Sequence, residues 1–176
     1  MMKNKIILLS FLFGLISCSK KEEVNLFPFD NFVISSAGLH HLNSLKFAKS
    51  DTVYFQKRYP EPIENSYAIL KSAEREKLSK LFNRIHFTKF DNEYAQENLC
   101  DGAAYLLNIS IKNKHKRIFL YGNVIPKELK KFIDSLGQIK ANLKFLPTKK
   151  VEDFGDLGYL IPPPPPPKPE KIHFVN

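Results

Sequence analysis

Few side chains in this 176-residue sequence are of the types that make or break bonds. Cys100 stands beside Asp101. A thiol with a neighbouring carboxylate and a histidine brought from elsewhere would be the equipment of a thiol hydrolase, but the residues around Cys100 carry no local signature of one. His40 and His41 are the only histidine cluster. Neighbours on a strand point to opposite faces, so the pair is a poor chelate, and no metal site is expected. The sequence holds no phosphate-binding glycine loop, no G-x-S-x-G and no H-E-x-x-H. Asn108-Ile109-Ser110 has the form of a glycosylation sequon but falls in a strand pattern and is read as chance. The basic run Lys112, Lys114, His115, Lys116 and Arg117 could meet acidic headgroups, though a solvated hairpin tip is the simpler reading. No catalytic residue and no cofactor are expected, and the chain is read as a non-enzyme.

The elements that would position these groups are legible from periodicity. Phe32-Val33-Ile34, Thr52–Gln56 and Tyr67–Leu70 are strand candidates. Ser72 reads as a helix N-cap, with Glu74 and Glu76 in the first turn, where negative charge is favoured. Leu78, Leu81, Phe82 and Ile85 then form one helical face. Tyr105, Leu107, Ile109 and Ile111 alternate as a strand, and a polar turn, Lys112 to His115, leads into Arg117–Tyr121. Pro126 suits a helix start. Leu129, Phe132, Ile133 and Leu136 make a second apolar stripe, which Gly137 weakens or ends. Strands, helix, hairpin, helix is the order of an α+β domain, an antiparallel sheet with two helices packed on one face.

The N-terminus gives an address. Lys3 and Lys5 precede an apolar run, Ile6–Ile16, about half the 20 residues a spanning helix needs. A basic start and a short apolar core form a secretory signal peptide. The run ends Leu15-Ile16-Ser17-Cys18, which resembles a bacterial lipobox. That resemblance implies a diacylglycerol thioether on Cys18, cleavage after Ser17 and acylation of the new N-terminus. Two or three acyl chains hold a protein firmly where one does not. Ser19 stands where an Asp would resemble an inner-membrane retention signal, which favours the outer membrane. Ser19–Glu23 also resembles the charged surface-export tags of some lipoproteins, and equally reads as a hydrated tether.

With Cys18 used for lipid, Cys100 has no internal disulfide partner and is expected to pack as a small hydrophobe, with intermolecular pairing or reactivity as alternatives. Removal of the signal leaves 25 basic against 18 acidic residues, about +7. An exported, tethered chain rarely meets nucleic acid, so anionic lipid headgroups, an acidic glycan or an envelope protein are the candidate partners, over a baseline of plain solvation.

The segment CDGAAYLLNISI followed by YGNVIPKELKKFIDSL resembles a recurring small bacterial domain of uncharacterised function. The matching positions are Asp101, Gly102, Gly122, Asn123 and Pro126, and each also has a structural explanation in turns and caps. The resemblance implies a fold and a secreted or lipoprotein setting, and no activity. Pro162–Pro167 and the residues after them resemble the periplasmic linkers of TonB-type energy-transducing proteins. Six residues of polyproline II span about 19 Å as a stiff spacer.

The expected organisation is a signal peptide over 1–17, a lipidated N-terminus and tether over 18–28, a small domain over 29–149 and a proline-rich tail over 150–176. The function expected is a lipid-anchored, non-catalytic module that binds a protein or a glycan. The alternatives are an immunity or inhibitor lipoprotein acting on a toxin or lytic enzyme, and an enzyme of unrecognised type.

Overall fold

A computed structural model describes residues 27–100 and 102–161. Cys18, Asp101 and the run from Pro162 onward, which carry the readings of lipidation, of a strand-start acceptor and of a stiff tail, lie outside the described residues. The fold is α+β. Strands β1 (Asn31–Gly38), β2 (His41–Ala48), β3 (Thr52–Tyr59) and β4 (Glu64–Ile69) form a meander. Helix α1 (Ser72–Asn83) follows, then β5 (Glu93–Ala95), the hairpin β6 (Ala104–Ile111) and β7 (Lys114–Tyr121), helix α2 (Lys127–Ala141) and a two-residue β8 (Leu146–Pro147). The eight strands make one sheet in the order β5-β7-β6-β1-β2-β3-β4-β8. Every pairing is antiparallel except β5 with β7.

Local chemistry sets the element ends. The turn between β6 and β7 is two residues, Lys112 and Asn113, and not the four expected, because both take positive φ (46° and 64°). That is the twist-matched turn of a tight hairpin. Asp30 accepts the Lys112 N–H at 2.6 Å and holds it there. Helix α1 begins one residue earlier than an N-cap at Ser72 would allow: Lys71 is the cap, and the Glu74 carboxylate accepts its N–H at 2.7 Å. Helix α2 passes through Gly137 without stopping and ends at Ala141. Pro126 precedes its first turn, where a missing donor costs nothing.

One core joins Leu78 and Phe82 of α1 and Leu129, Phe132, Ile133 and Leu136 of α2 to Phe32, Ile34, Leu45, Phe47, Val53, Leu107, Ile109 and Ile118 of the sheet. Its centre is Phe82, fully buried, with the rings of Phe27, Phe29, Phe32, Phe47 and Phe132 at 4.6–5.6 Å. Phe27 stacks on Phe29, so packing begins inside the segment expected to be tether.

Leu106 neighbours Leu107 on β6 and so points to the opposite face. There it meets Leu157, Leu160 and Ala104 in a second, smaller cluster. Residues 148–161 form a strap across that face. Thr148 N–H bonds the Asn65 carbonyl at 2.9 Å, Lys46 Nζ lies 2.9 Å from Glu152, and Phe154, Leu157 and Leu160 are buried. The boundary expected at residue 149 therefore moves: the chain stays packed through Leu160. The reason is that β6 and β1 place apolar residues, Leu106 and Val33, on the second face, and these need a cover.

The strap's ion pair is nearly dry, with the Lys46 and Glu152 side chains only 14% and 13% exposed. Burial alone would raise the Glu152 carboxyl, but hydrogen bonds from Lys150 and Lys46 outweigh it and hold the group below the usual carboxylate range. A depressed folded-state value adds stability above the unfolded glutamate pKa, about 4.3, and that stability is lost as pH falls through the folded value. Glu152→Gln is expected to cost about 2 kcal/mol at pH 7. The gap to wild type should close as melting is followed below about pH 4; a constant gap would remove the ion pair as its cause. Phe82→Ala is expected to cost about 3–5 kcal/mol in chemical denaturation, given its full burial.

Candidate functional site

Strand register arranges the core side of the sheet in cross-strand rows. Ile109, Phe32, Phe47 and Val53 form one row, and Leu107, Ile34, Leu45 and Phe55 the next. Period-two alternation calls for a third apolar row. The register instead brings up Tyr105, Ser36, Asn43 and Lys57. At this end of the sheet α2 presents Gly137, where an added Cβ would meet, among the described residues, no atom within 4 Å outside its own stretch of helix. The helix and the polar row leave a cleft of about 660 Å³ between them.

The floor of the cleft is apolar, from Ile34, Leu45 and Phe55, and its far end is polar, from Ser36 and Asn43. Lys140 reaches along one wall, with its Nζ 3.8 Å from the Phe55 ring centroid. Burial lowers the pKa of this ammonium. Among the described residues no carboxylate pairs with it, while Asp134 at the rim lies 3.7 Å from Lys130. Contact with a ring face compensates part of the desolvation. A half-dry cation beside hydroxyl and amide groups over an apolar floor can recognise a polar or anionic group attached to an apolar body. The volume is that of a typical small-ligand site.

A second cavity, about 520 Å³, opens on the other face of the sheet. Its floor is Asn108 and Ser110 of β6 and His115, Arg117 and Phe119 of β7, and Tyr159 of the strap forms a wall. The basic run is thus divided by strand alternation: His115 and Arg117 turn to this cavity. The Lys116 ammonium donates to the Phe90 carbonyl and to Asn92 at 2.6 and 2.7 Å. Only part of the run is the solvated tip expected of it. Asn108 and Ser110, dismissed as a chance sequon, are two residues apart and share the cavity floor. Among the described residues the buried Asn108 Nδ2 has no acceptor, an arrangement that costs roughly 1–3 kcal/mol unless something fills the role.

The remaining sequence candidates are scattered. His40 lies in the β1–β2 turn and His41 opens β2, and both are exposed. Among the described residues, no three His, Cys, Asp or Glu side chains are grouped to hold a metal ion. Cys100 is exposed, which corrects the expectation of burial. The loop spends its apolar contact on Leu99, whose Cδ2 lies against Gly102 and Gly122, and leaves the thiol outside. Of the residues that carried the family resemblance, Gly102, Gly122 and Asn123 meet here. Gly122 has φ +76°, the Tyr121 hydroxyl donates to the Leu99 carbonyl at 2.6 Å, and Asn123 N–H donates to Gln96 Oε1 at 2.9 Å. They lock the β5–β6 loop and stand apart from both cavities.

These features define an α+β domain with one cleft beneath its second helix. The chain belongs to the family described as a domain of unknown function, DUF6438, whose match spans residues 43–140. That span contains Asn43, Phe55, Tyr105, Gly137 and Lys140 of the cleft, whereas the strap lies beyond it. No curated protein matches the chain.

Two glycines should respond in opposite directions. Gly137→Ala meets open space in a helix and is expected to raise stability by up to about 1 kcal/mol. Gly122→Ala is expected to lower it by more than that, because it combines a left-handed backbone with a Cβ 2.7 Å from Gln96. Urea denaturation of the two variants checks both signs.

Proposed function

We propose that this chain is an envelope-anchored lipoprotein, acylated at Cys18 and held at the outer membrane. It carries a small α+β domain, both helices laid on one face of the sheet, as a non-catalytic module that binds an envelope protein or a glycan. The observation that supports this reading is the cleft under Gly137. A polar row in the core face of a sheet, left uncovered by a side-chain-free helix position, gives up burial that the fold could have had. The groups it exposes are hydroxyls, amides and one ammonium, which suit recognition. The lipobox and the charged residues after it support the anchor.

Gly137→Phe, placed in open space, is expected to fill the cleft while the melting temperature stays within a few degrees. Immobilised variant should then retain at least about tenfold less of the envelope component that wild type retains; equal retention would exclude the cleft. For the anchor, Cys18→Ala is expected to abolish incorporation of labelled palmitate and shift the protein out of the membrane fraction. Undiminished labelling would overturn it.

A further inference from the structure

The outer-face cavity shares no lining residue with the cleft, so what it binds is a separate question. Its charged groups are Arg117, Lys116 and Glu93, together with the titratable His115, and Asp156 stands outside it. Lys116 is committed to Phe90 and Asn92. Arg117 is less engaged: its guanidinium lies 4.4 Å from the Tyr159 ring centroid, its Nη2 is 3.2 Å from the Tyr159 hydroxyl, and Asp156, which is exposed, comes only to 4.0 Å. A planar fork stacked on an aromatic ring is held flat and keeps donors for a carboxylate or phosphate.

Two further observations narrow the ligand. Phe119 and Tyr159, with centroids 5.3 Å apart, add aromatic surface against which a flat, partly apolar ring can lie. The buried Asn108 Nδ2 has no acceptor among the described residues, and the strap passes it at Gly155, where even an added Cβ would stand 3.7 Å away. Ser110 Oγ and His115 Nδ1, 2.9 Å apart, offer a hydroxyl and an imidazole on the same floor. A bare phosphate sets its negative charge against the Glu93 carboxylate and has no C–H face for the aromatic wall. A sugar acid brings one carboxylate for Arg117, ring hydroxyls that donate to Glu93 and accept from Asn108, and C–H faces for the aromatic wall.

We propose that this cavity binds a carboxylate-bearing sugar ring of an acidic glycan, with Arg117 reading the carboxylate and Asn108 a ring oxygen. The volume, about 520 Å³, accommodates a small saccharide. Tyr159 lies beyond the family match, while the other lining residues lie within it.

The test is calorimetric titration of the full-length chain with trigalacturonate, with a neutral galactose trisaccharide, and with inorganic phosphate as competitor. The acidic trisaccharide is expected to bind at least about tenfold more tightly than the neutral one, and phosphate at equal concentration should not displace it. Arg117→Gln should weaken the acidic ligand by about tenfold and leave the neutral one unchanged. Tyr159→Ala, at an exposed position, should weaken both and serves as the second reading if Arg117→Gln does not fold. Gly137→Phe should change neither, which separates this site from the cleft. Equal affinity for the two sugars, displacement by phosphate, absence of binding, or wild-type affinity in the folded variants would overturn the proposal.

Discussion

The constraint on which this molecule depends is that its sheet is buried on both faces by different means. On β1, Phe32 and Ile34 belong to the main core while Val33 and Ser35 are buried on the opposite side of the strand. On β6, Leu107 and Ile109 face one way and Leu106 the other. The period of two allows no freedom here: a slip of one residue would exchange the faces. The buried Ser35–Ser44 hydrogen bond, 2.7 Å between hydroxyls on adjacent strands, reinforces the register from the strap side. Once register is fixed, the polar row that makes the cleft and the Asn108–Arg117 pairing that makes the outer cavity are fixed with it.

The floors of both cavities are therefore set by strand alternation, and the strap adds a wall to one of them. Binding residues often sit on loops over a rigid scaffold. Here the candidate ligand groups stand mostly on strands β1, β2, β6 and β7 and on α2. Such groups are held by ladder hydrogen bonds and move little, which favours recognition by a preformed surface. The cleft and the cavity differ in make-up as well: one combines β1 with the family's matched segment, the other is completed by the strap that follows that segment.

Much of the fold was legible and most of the candidate site was not. Leu78 and Phe82, and Leu129, Phe132, Ile133 and Leu136, are all buried as the helical spacing requires. The β6–β7 hairpin also stands where alternation put it. Strand β2 escaped notice because Asn43, Ser44 and Lys46 are interleaved with its few apolar residues. Strand β1 was read at three residues instead of eight because Ser35, Ser36 and Ala37 look unlike a strand. One of them, Ser36, lines the cleft, so a residue that hid the strand also helps to build the site. Likewise Phe154, Leu157 and Leu160 recur at intervals of three among Gly and Asp, too sparsely to announce a packed segment. A site assembled across four strands depends on register, which one chain read alone does not display.

The position of β1 has a mechanical consequence. The described chain enters the domain at Phe27 and passes within four residues into the strand that lies between β2 and β6. Both ladders on β1 are antiparallel, with seven or eight paired positions each. Tension arriving from the N-terminal side therefore does not peel an edge strand one bond at a time. It loads two hydrogen-bond ladders in shear together, while Phe27 and Phe29, wedged against Phe82, must leave the aromatic core before β1 can slide. The domain is built to bear a load at this end.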